Sequence, residues 1–246
     1  MPCTKPIKAW KYGVHDSGKQ KLVFKDPRDS SAEIQMVPCG KCISCKLDYA
    51  REWATRITHE SQTAKISCFL TLTIEPDQMI TEGFTRLENG QEVYYPPYSV
   101  YKRTVQLFIK KLRKKIAVRK RNPDTGRLNI HYQKLRYFAC GEYGEKRTRP
   151  HYHIIIMGYD FPDKTYWSTT NSGEKIYRSK LLESIWTYGY SSTGEVTFNS
   201  ASYVARYTMK KTKDKKSYEF VDGYDEDTGE IYIHNLRPEF ISLCLS

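Results

Sequence analysis

The chain has 246 residues, and its 40 lysine and arginine residues outnumber 28 aspartate and glutamate residues, which gives a formal net charge of +12. This excess of positive charge favours a polyanionic partner, either nucleic acid or an anionic membrane surface. No apolar run approaches the roughly 20 residues that span a bilayer, and the N-terminal sequence lacks the apolar core of a signal peptide. We therefore expect a soluble protein that acts inside a cell and does not insert into a membrane.

Apolar periodicity predicts alternating helices and strands along most of the chain. Residues 1–38 have no sustained period and are interrupted by proline and glycine, so we predict that they are irregular. The predicted elements that follow are a helix at 46–62, a strand at 65–74, a helix at 100–120, strands at 134–144 and 151–158, a helix at 177–189, a strand within 190–200 and a helix at 200–212. This order predicts an α+β fold: a central, mainly antiparallel sheet with helices packed on one face and the active site on the open face.

The pattern divides the chain into three predicted regions. Residues 1–62 are a cysteine-rich segment and a helix, packed on the domain that follows. Residues 63–212 form this main domain, and residues 213–246 are a polar, partly mobile extension.

Two histidines stand one residue apart in RPHYHIIIMG, residues 149–158. In a strand, residues two apart point to the same face with Cα atoms roughly 6.6 Å apart, so His151 and His153 can reach one metal ion. Glu142 lies on the preceding strand, and a hairpin turn brings it beside the pair. Two imidazoles and a carboxylate suit a divalent transition metal and leave coordination positions open for a phosphate. The alternative is that both histidines are polar residues at the edge of a strand.

Two tyrosines are four residues apart in YVARYTMKK, residues 203–211. Tyr203 and Tyr207 therefore share a face of the predicted helix, and Lys210 falls on the same side. Lys211 is four residues from Tyr207 and can take the place of Lys210. A tyrosine oxygen can attack phosphorus and form a covalent intermediate once its proton is removed. The alternative is an amphipathic helix whose tyrosine rings pack into the core.

Three cysteines at two-residue gaps mark VPCGKCISCK, residues 37–46. Cys39, Cys42 and Cys45 suit a tetrahedral structural zinc, for which a chain that loops back supplies Cys3 as the fourth ligand. Reduced, unliganded thiols and an iron–sulfur cluster are the alternatives.

Basic side chains are concentrated near these motifs. Arg147 and Arg149 lie in the predicted hairpin loop beside the histidines, where they can hold a phosphate of a nucleic acid close to the proposed metal. The runs at 110–115 and 210–216 can neutralise further phosphates, although the first of them is equally typical of a solvated helix surface.

The order of these motifs resembles that of the HUH endonucleases, which start rolling-circle replication. GEYGEKRTRPHYHIIIMG, YVARYTMKK and VPCGKCISCK are similar to sequences in the replication initiators of small single-stranded DNA phages, the gokushovirus branch of the Microviridae. The resemblance covers most of residues 36–211 and implies an HUH domain with an RRM-like sheet. It implies that His151, His153 and Glu142 bind Mg²⁺ or Mn²⁺, that the two tyrosines are paired nucleophiles, and that the lysine on their helix supplies positive charge.

The resemblance thus implies a site- and strand-specific endonuclease and ligase. It would nick single-stranded DNA at a replication origin through a covalent 5′-phosphotyrosine, in the host bacterial cytoplasm, with host helicase and polymerase as partners. One rival hypothesis is a zinc-stabilised, non-catalytic nucleic-acid-binding protein. Another is a metallohydrolase that uses the histidines and an acid but not the tyrosines.

Overall fold

The computed structural model describes residues 2–29, 31–144, 149–206, 218–224, 231–237 and 239–244. The chain divides into two compact units, Met1–Glu52 and Trp53–Ser246. The division falls within the first helix, α1 (Ile43–Gln62). The region boundaries at residues 62 and 212 remain predictions. Within the described residues, no helix is both long and apolar enough to cross a membrane.

The first unit contains a three-stranded antiparallel sheet, so the prediction that residues 1–38 are irregular is wrong. In spatial order its strands are β2 (Gln20–Val23), β1 (Ile7–Val14) and β3 (Glu33–Val37). Most of their side chains are exposed. Strands without a buried face lack the apolar alternation by which a strand is identified in a sequence.

The second unit is built around a seven-stranded sheet in which all neighbouring strands are antiparallel. In spatial order the strands are β11 (Thr165–Thr169), β12 (Lys175–Arg178), β13 (Ser191–Gly194), β4 (Ser67–Thr73), β10 (Pro150–Met157), β9 (Arg136–Tyr143) and β16 (Phe240–Cys244). The predicted α+β fold with a mainly antiparallel sheet is confirmed. Separate hairpins are formed by β5 (Phe84–Glu88) with β6 (Gln91–Tyr95), β7 (Val118–Arg121) with β8 (Leu128–His131), and β14 (Tyr218–Tyr224) with β15 (Ile231–Leu236).

The helices of the second unit are α2 (Lys102–Lys115), α3 (Lys180–Ile185) and α4 (Phe198–Ala205). The first two are shorter than their periodicity predicted, whereas residues 207–212 of the helix predicted at 200–212 lie outside the described residues. Strand β7 takes the last residues of the helix predicted at 100–120, and β12 takes the first residues of the one predicted at 177–189. Short exposed strands beside a helix continue its polar pattern, which is why the sequence did not separate them.

Alternation along β10 directs its side chains to two different cores. Tyr152, Ile154 and Ile156 face α2 and α3. Ile155 and Met157 face the opposite side, where they pack with the second-unit part of α1 and with α4. The predicted site residues share this second face. Helices thus pack on both faces of the sheet, so the prediction that they pack on one face only is wrong.

The edge strand β16 binds the end of the chain to the sheet. It pairs with β9, opposite the residues that precede the site. Gly141 on β9 is required here because the Phe240 ring fills the space that a Cβ would occupy. The last described residues are thus part of the central sheet.

Candidate active site

His151, His153 and Glu142 lie together at one end of the sheet. On β10 the two histidines are on the same face, and Glu142 of β9 stands directly opposite His151 in the strand register. Its Oε1 atom is 2.6 Å from Nε2 of His153. The side chains of Glu142 and His153 are buried, with 7% and 6% of their surfaces exposed, so the pair is shielded from water. The structure thus has the Glu142 carboxylate beside the histidines, where the predicted hairpin places it.

Two residues of β4 hold the His153 ring, one at its edge and one on its face. The Thr71 hydroxyl is 3.2 Å from Nδ1, and the Phe69 ring stacks on the imidazole at a centroid distance of 5.6 Å. A hydroxyl can donate or accept, so Thr71 satisfies Nδ1 in either tautomer. These contacts fix the orientation of the ring, and a metal ion on Nε2 would require the proton on Nδ1, where the Thr71 hydroxyl can accept it.

The backbone fixes the tautomer of His151. Its Nδ1 atom is 2.6 Å from the backbone carbonyl of Arg149. A carbonyl only accepts hydrogen bonds, so Nδ1 carries the proton and Nε2 has a free lone pair. Burial lowers the pKa of His151, in spite of the opposing effect of the Arg149 carbonyl. The ring is therefore neutral at pH 7, the form that binds metals.

Tyr203 extends from α4 to the carboxylate. Its hydroxyl donates to Oε1 of Glu142 at 3.1 Å, and its ring meets the His153 ring edge-on at a centroid distance of 4.9 Å. The residue is 39% exposed, so a substrate can reach it while its hydroxyl lies in the site. A potential nucleophile, a carboxylate and an imidazole thus converge on one point.

The donor types fit a divalent cation. Two imidazoles and one carboxylate provide nitrogen and oxygen ligands and would leave positions for phosphate oxygens. The contact between His153 and Glu142 has the length of a hydrogen bond. The ligand atoms of His151, His153 and Glu142 are not all within 4.8 Å of one another, so an ion held by all three would require His151 and this pair to move closer together.

Comparison with known proteins identifies the family. The family model of the replication-associated proteins ORF2/G2P matches residues 67–212, the segment that contains every residue of the site described so far. The chain belongs to this family.

Individual relatives match well beyond that segment. The replication-associated protein VP4 of Bdellovibrio phage phiMH2K is 33% identical over 236 residues, which cover 96% of this chain and 64% of VP4. The replication-associated protein ORF2 of Spiroplasma virus 4 is 34% identical over 235 residues, which cover 90% of this chain and 65% of ORF2. The chain therefore spans slightly less than two thirds of these relatives. No solved structure matches it.

Some predicted site residues of this family member cannot be placed. Tyr207, Lys210, Lys211 and Arg147 lie outside the described residues, so their assigned roles stay predictions. Arg149 is described, and its backbone carbonyl orients His151.

The four predicted zinc ligands are brought together in the first unit. The ligand atoms of Cys3, Cys39, Cys42 and Cys45 all lie within 4.8 Å of one another, and within the described part of the chain no other group of three or more such residues does so. Backbone N–H groups of Cys42 and Lys41 point at the Cys39 sulfur and lower its pKa.

Thr71 and Phe69 were missed as site residues. The strand FLTLT was recognised in the sequence, and its alternation places Phe69, Thr71 and Thr73 on one face. That this face is also the face of His153 depends on the pairing of β4 with β10, in which Thr71 stands opposite His153. Pairing partners cannot be read from either strand alone.

The start of α4 is capped, and this cap positions Tyr203. The Thr197 side chain accepts from the Ser200 N–H, while the Ser200 side chain accepts from the Thr197 N–H. We expect Thr197→Ala to lower the free energy of unfolding by about 1 kcal/mol, because one N–H of the first turn loses its partner. Denaturant unfolding measures this difference. Thr197→Ser is the matched control and should retain most of the stability, whereas equal losses in both variants would contradict a capping role.

Proposed function

We propose that this chain is a metal-dependent, site- and strand-specific endonuclease and ligase for single-stranded DNA, which initiates and terminates rolling-circle replication of a small phage genome. The observation that supports it most is the convergence of the Tyr203 hydroxyl and His153 on one oxygen of Glu142. The replication-associated relatives from small phages support the biological setting.

Strand cleavage requires an oxygen nucleophile with a fixed orientation. In the proposed reaction the Tyr203 oxygen attacks a DNA phosphorus, a tyrosyl O–P bond forms, and the bond from phosphorus to the 3′ oxygen breaks. The tyrosine loses its proton, the departing 3′ oxygen gains one, and the DNA 5′ end stays attached to the protein. Glu142 orients the nucleophile, because the hydroxyl donates to its carboxylate.

A catalytic ion is part of the proposal. His151, His153 and Glu142 would hold Mg²⁺ or Mn²⁺, which would polarise the phosphate and stabilise the charge that develops on its oxygens. The chain contributes the ligand geometry: the Arg149 carbonyl orients one imidazole, and Thr71 with Phe69 orients the other.

Two tyrosines suit a complete replication cycle. While one is linked to the 5′ phosphate, the other can attack the regenerated origin after a round of synthesis, so that the circle is released and closed. Tyr207 is proposed as this second nucleophile, with Lys210 or Lys211 as the positive group on the same segment. Arg147 and Arg149 would hold the DNA strand at the scissile phosphate. The net charge of +12 favours the binding of such a polyanion.

Further partners belong to the same proposal. The 3′-OH that the cut releases primes a host polymerase, and a host helicase would open the duplex ahead of it. Both would be met in the bacterial cytoplasm, where a phage genome replicates.

A denaturing-gel assay tests the proposed function. End-labelled single-stranded DNA that tiles the cognate genome is incubated with the full chain in Mn²⁺, Mg²⁺ or EDTA. We expect an SDS-resistant protein–DNA adduct at one site on one strand, present with either metal and absent with EDTA. Tight binding of all fragments without an adduct would favour the non-catalytic binding protein. Metal-dependent cleavage without an adduct would favour a hydrolase that does not use the tyrosines.

A further inference from the structure

The four cysteines of the first unit come from two separate parts of the chain. Cys3 precedes β1, whereas Cys39, Cys42 and Cys45 surround the start of α1. The fold brings Sγ of Cys42 to 3.8 Å from Sγ of Cys3 and Sγ of Cys39 to 4.0 Å from Sγ of Cys45. All four sulfurs lie within 4.8 Å of one another.

We propose that these four thiolates hold one structural Zn²⁺ ion. Zinc binds four thiolates tetrahedrally at about 2.3 Å, which places neighbouring sulfurs about 3.8 Å apart. The two measured sulfur–sulfur distances agree with this spacing and are far from the roughly 2.05 Å of a disulfide. An iron–sulfur cluster, which contains several ions between its cysteines, requires a wider cage.

The backbone around Cys39 has the form of a metal-binding turn. The N–H groups of Lys41 and Cys42 donate to its sulfur at 3.4 and 3.3 Å, and its own N–H donates to the Cys3 sulfur at 3.3 Å. Gly40 makes this turn possible, since its φ of +70° lies in the left-handed region that other residues rarely adopt. These N–H groups offset part of the negative charge that four thiolates bring together.

The first unit also needs a stabilising element other than a core. Among its described residues, Ala9 and Ala50 are the only buried hydrophobic side chains. Larger apolar side chains on its strands are exposed, namely Ile7, Tyr12, Val14, Ile34 and Met36. Units of about 50 residues without a substantial core usually rely on a metal or disulfides. A zinc ion at this point joins the chain before β1 to the turn that begins α1.

The proposed zinc is structural because its coordination is complete. Four protein ligands leave no position for water or substrate, in contrast to the three ligands of a catalytic site. The cysteines also precede residues 67–212, which the family model matches. The proposal therefore does not rest on the proposed nuclease function and can fail or succeed independently of it.

The zinc content of the purified full chain tests the proposal. We expect about one zinc ion per chain by elemental mass spectrometry, and loss of that ion in Cys3→Ser and Cys42→Ser. Cys244→Ser is the matched control, because that cysteine is exposed and outside the cluster, and it should keep the zinc. His151→Ala/His153→Ala should keep it as well, which separates this site from the candidate active site.

Cobalt substitution provides a second measurement that does not depend on whether the cysteine variants fold. Wild-type chain refolded with Co²⁺ should show the visible d–d bands of a tetrahedral ion and a thiolate-to-cobalt charge-transfer band. The proposal would be overturned if the wild-type chain held no zinc after zinc loading, if these cysteines formed a disulfide, or if they bound iron with inorganic sulfide. Loss of the zinc in the histidine double variant would overturn it as well.

Discussion

The double variant Tyr203→Phe/Tyr207→Phe should form no covalent adduct with origin DNA, a loss on the order of 10³-fold or more relative to wild type. Phenylalanine keeps the ring that packs edge-on against His153 but lacks the oxygen that donates to Glu142. Folding and DNA binding should therefore persist while the nucleophile is lost. The measurement is the amount of SDS-resistant adduct on end-labelled single-stranded DNA in Mn²⁺, together with DNA affinity from anisotropy.

The single tyrosine variants refine this result. If Tyr203 starts the reaction, Tyr203→Phe should lose the first adduct, and Tyr207→Phe should cut once but fail to join the strands. Tyr166→Phe is the matched control, since Tyr166 is exposed on β11, where its ring contacts Tyr177. A double variant that still forms the adduct would rule out both tyrosines as nucleophiles.

His153→Ala should lower metal-dependent cleavage by more than about 100-fold. The loss of a ligand weakens metal binding at least as much as the loss of a residue that only orients a ligand. Glu142→Gln should behave similarly: it keeps the shape of the side chain but removes the negative charge that attracts the cation. A titration of cleavage against Mn²⁺ measures the effect as an increase in the metal concentration required for half-maximal activity.

His131→Ala is the control for these ligand variants, because His131 is an exposed histidine on β8. Circular dichroism shows whether each variant is folded, which is needed because His153 and Glu142 are buried hydrogen-bond partners. Folded His153→Ala with an unchanged Mn²⁺ titration would show that the histidine pair is not a metal site.

The Glu142 carboxylate connects the prediction for the tyrosines with the prediction for the metal ligands. Oε1 of Glu142 accepts from Tyr203 and is within hydrogen-bonding distance of His153. The nucleophile and the ligand set are thereby linked through one side chain, so a change at Glu142 should affect metal binding and the orientation of the tyrosine together. Tyr203→Phe should affect the covalent step alone.

Much of the candidate site could be predicted because its signals are local. Alternation along a strand places His151 and His153 on one face, and a short hairpin loop brings the neighbouring strand back beside them. The buried face of α2 likewise follows from its own periodicity, since Val105, Phe108, Ile109 and Leu112 recur at helical spacing and are buried. The exposed strands β1, β2 and β3 could not be predicted, because their side chains bury too little to leave a pattern.

The sequence by itself determined the residue types, their faces within each element, and the order of motifs that indicated the family. Only the tertiary structure decided the register that sets Glu142 opposite His151 and Thr71 opposite His153. It also decided that α4 lies over this face with Tyr203 on the carboxylate, and that Cys3 meets the cysteines at the start of α1. Periodicity is a property of neighbours in the chain, whereas these contacts join residues far apart in it and depend on how whole elements pack.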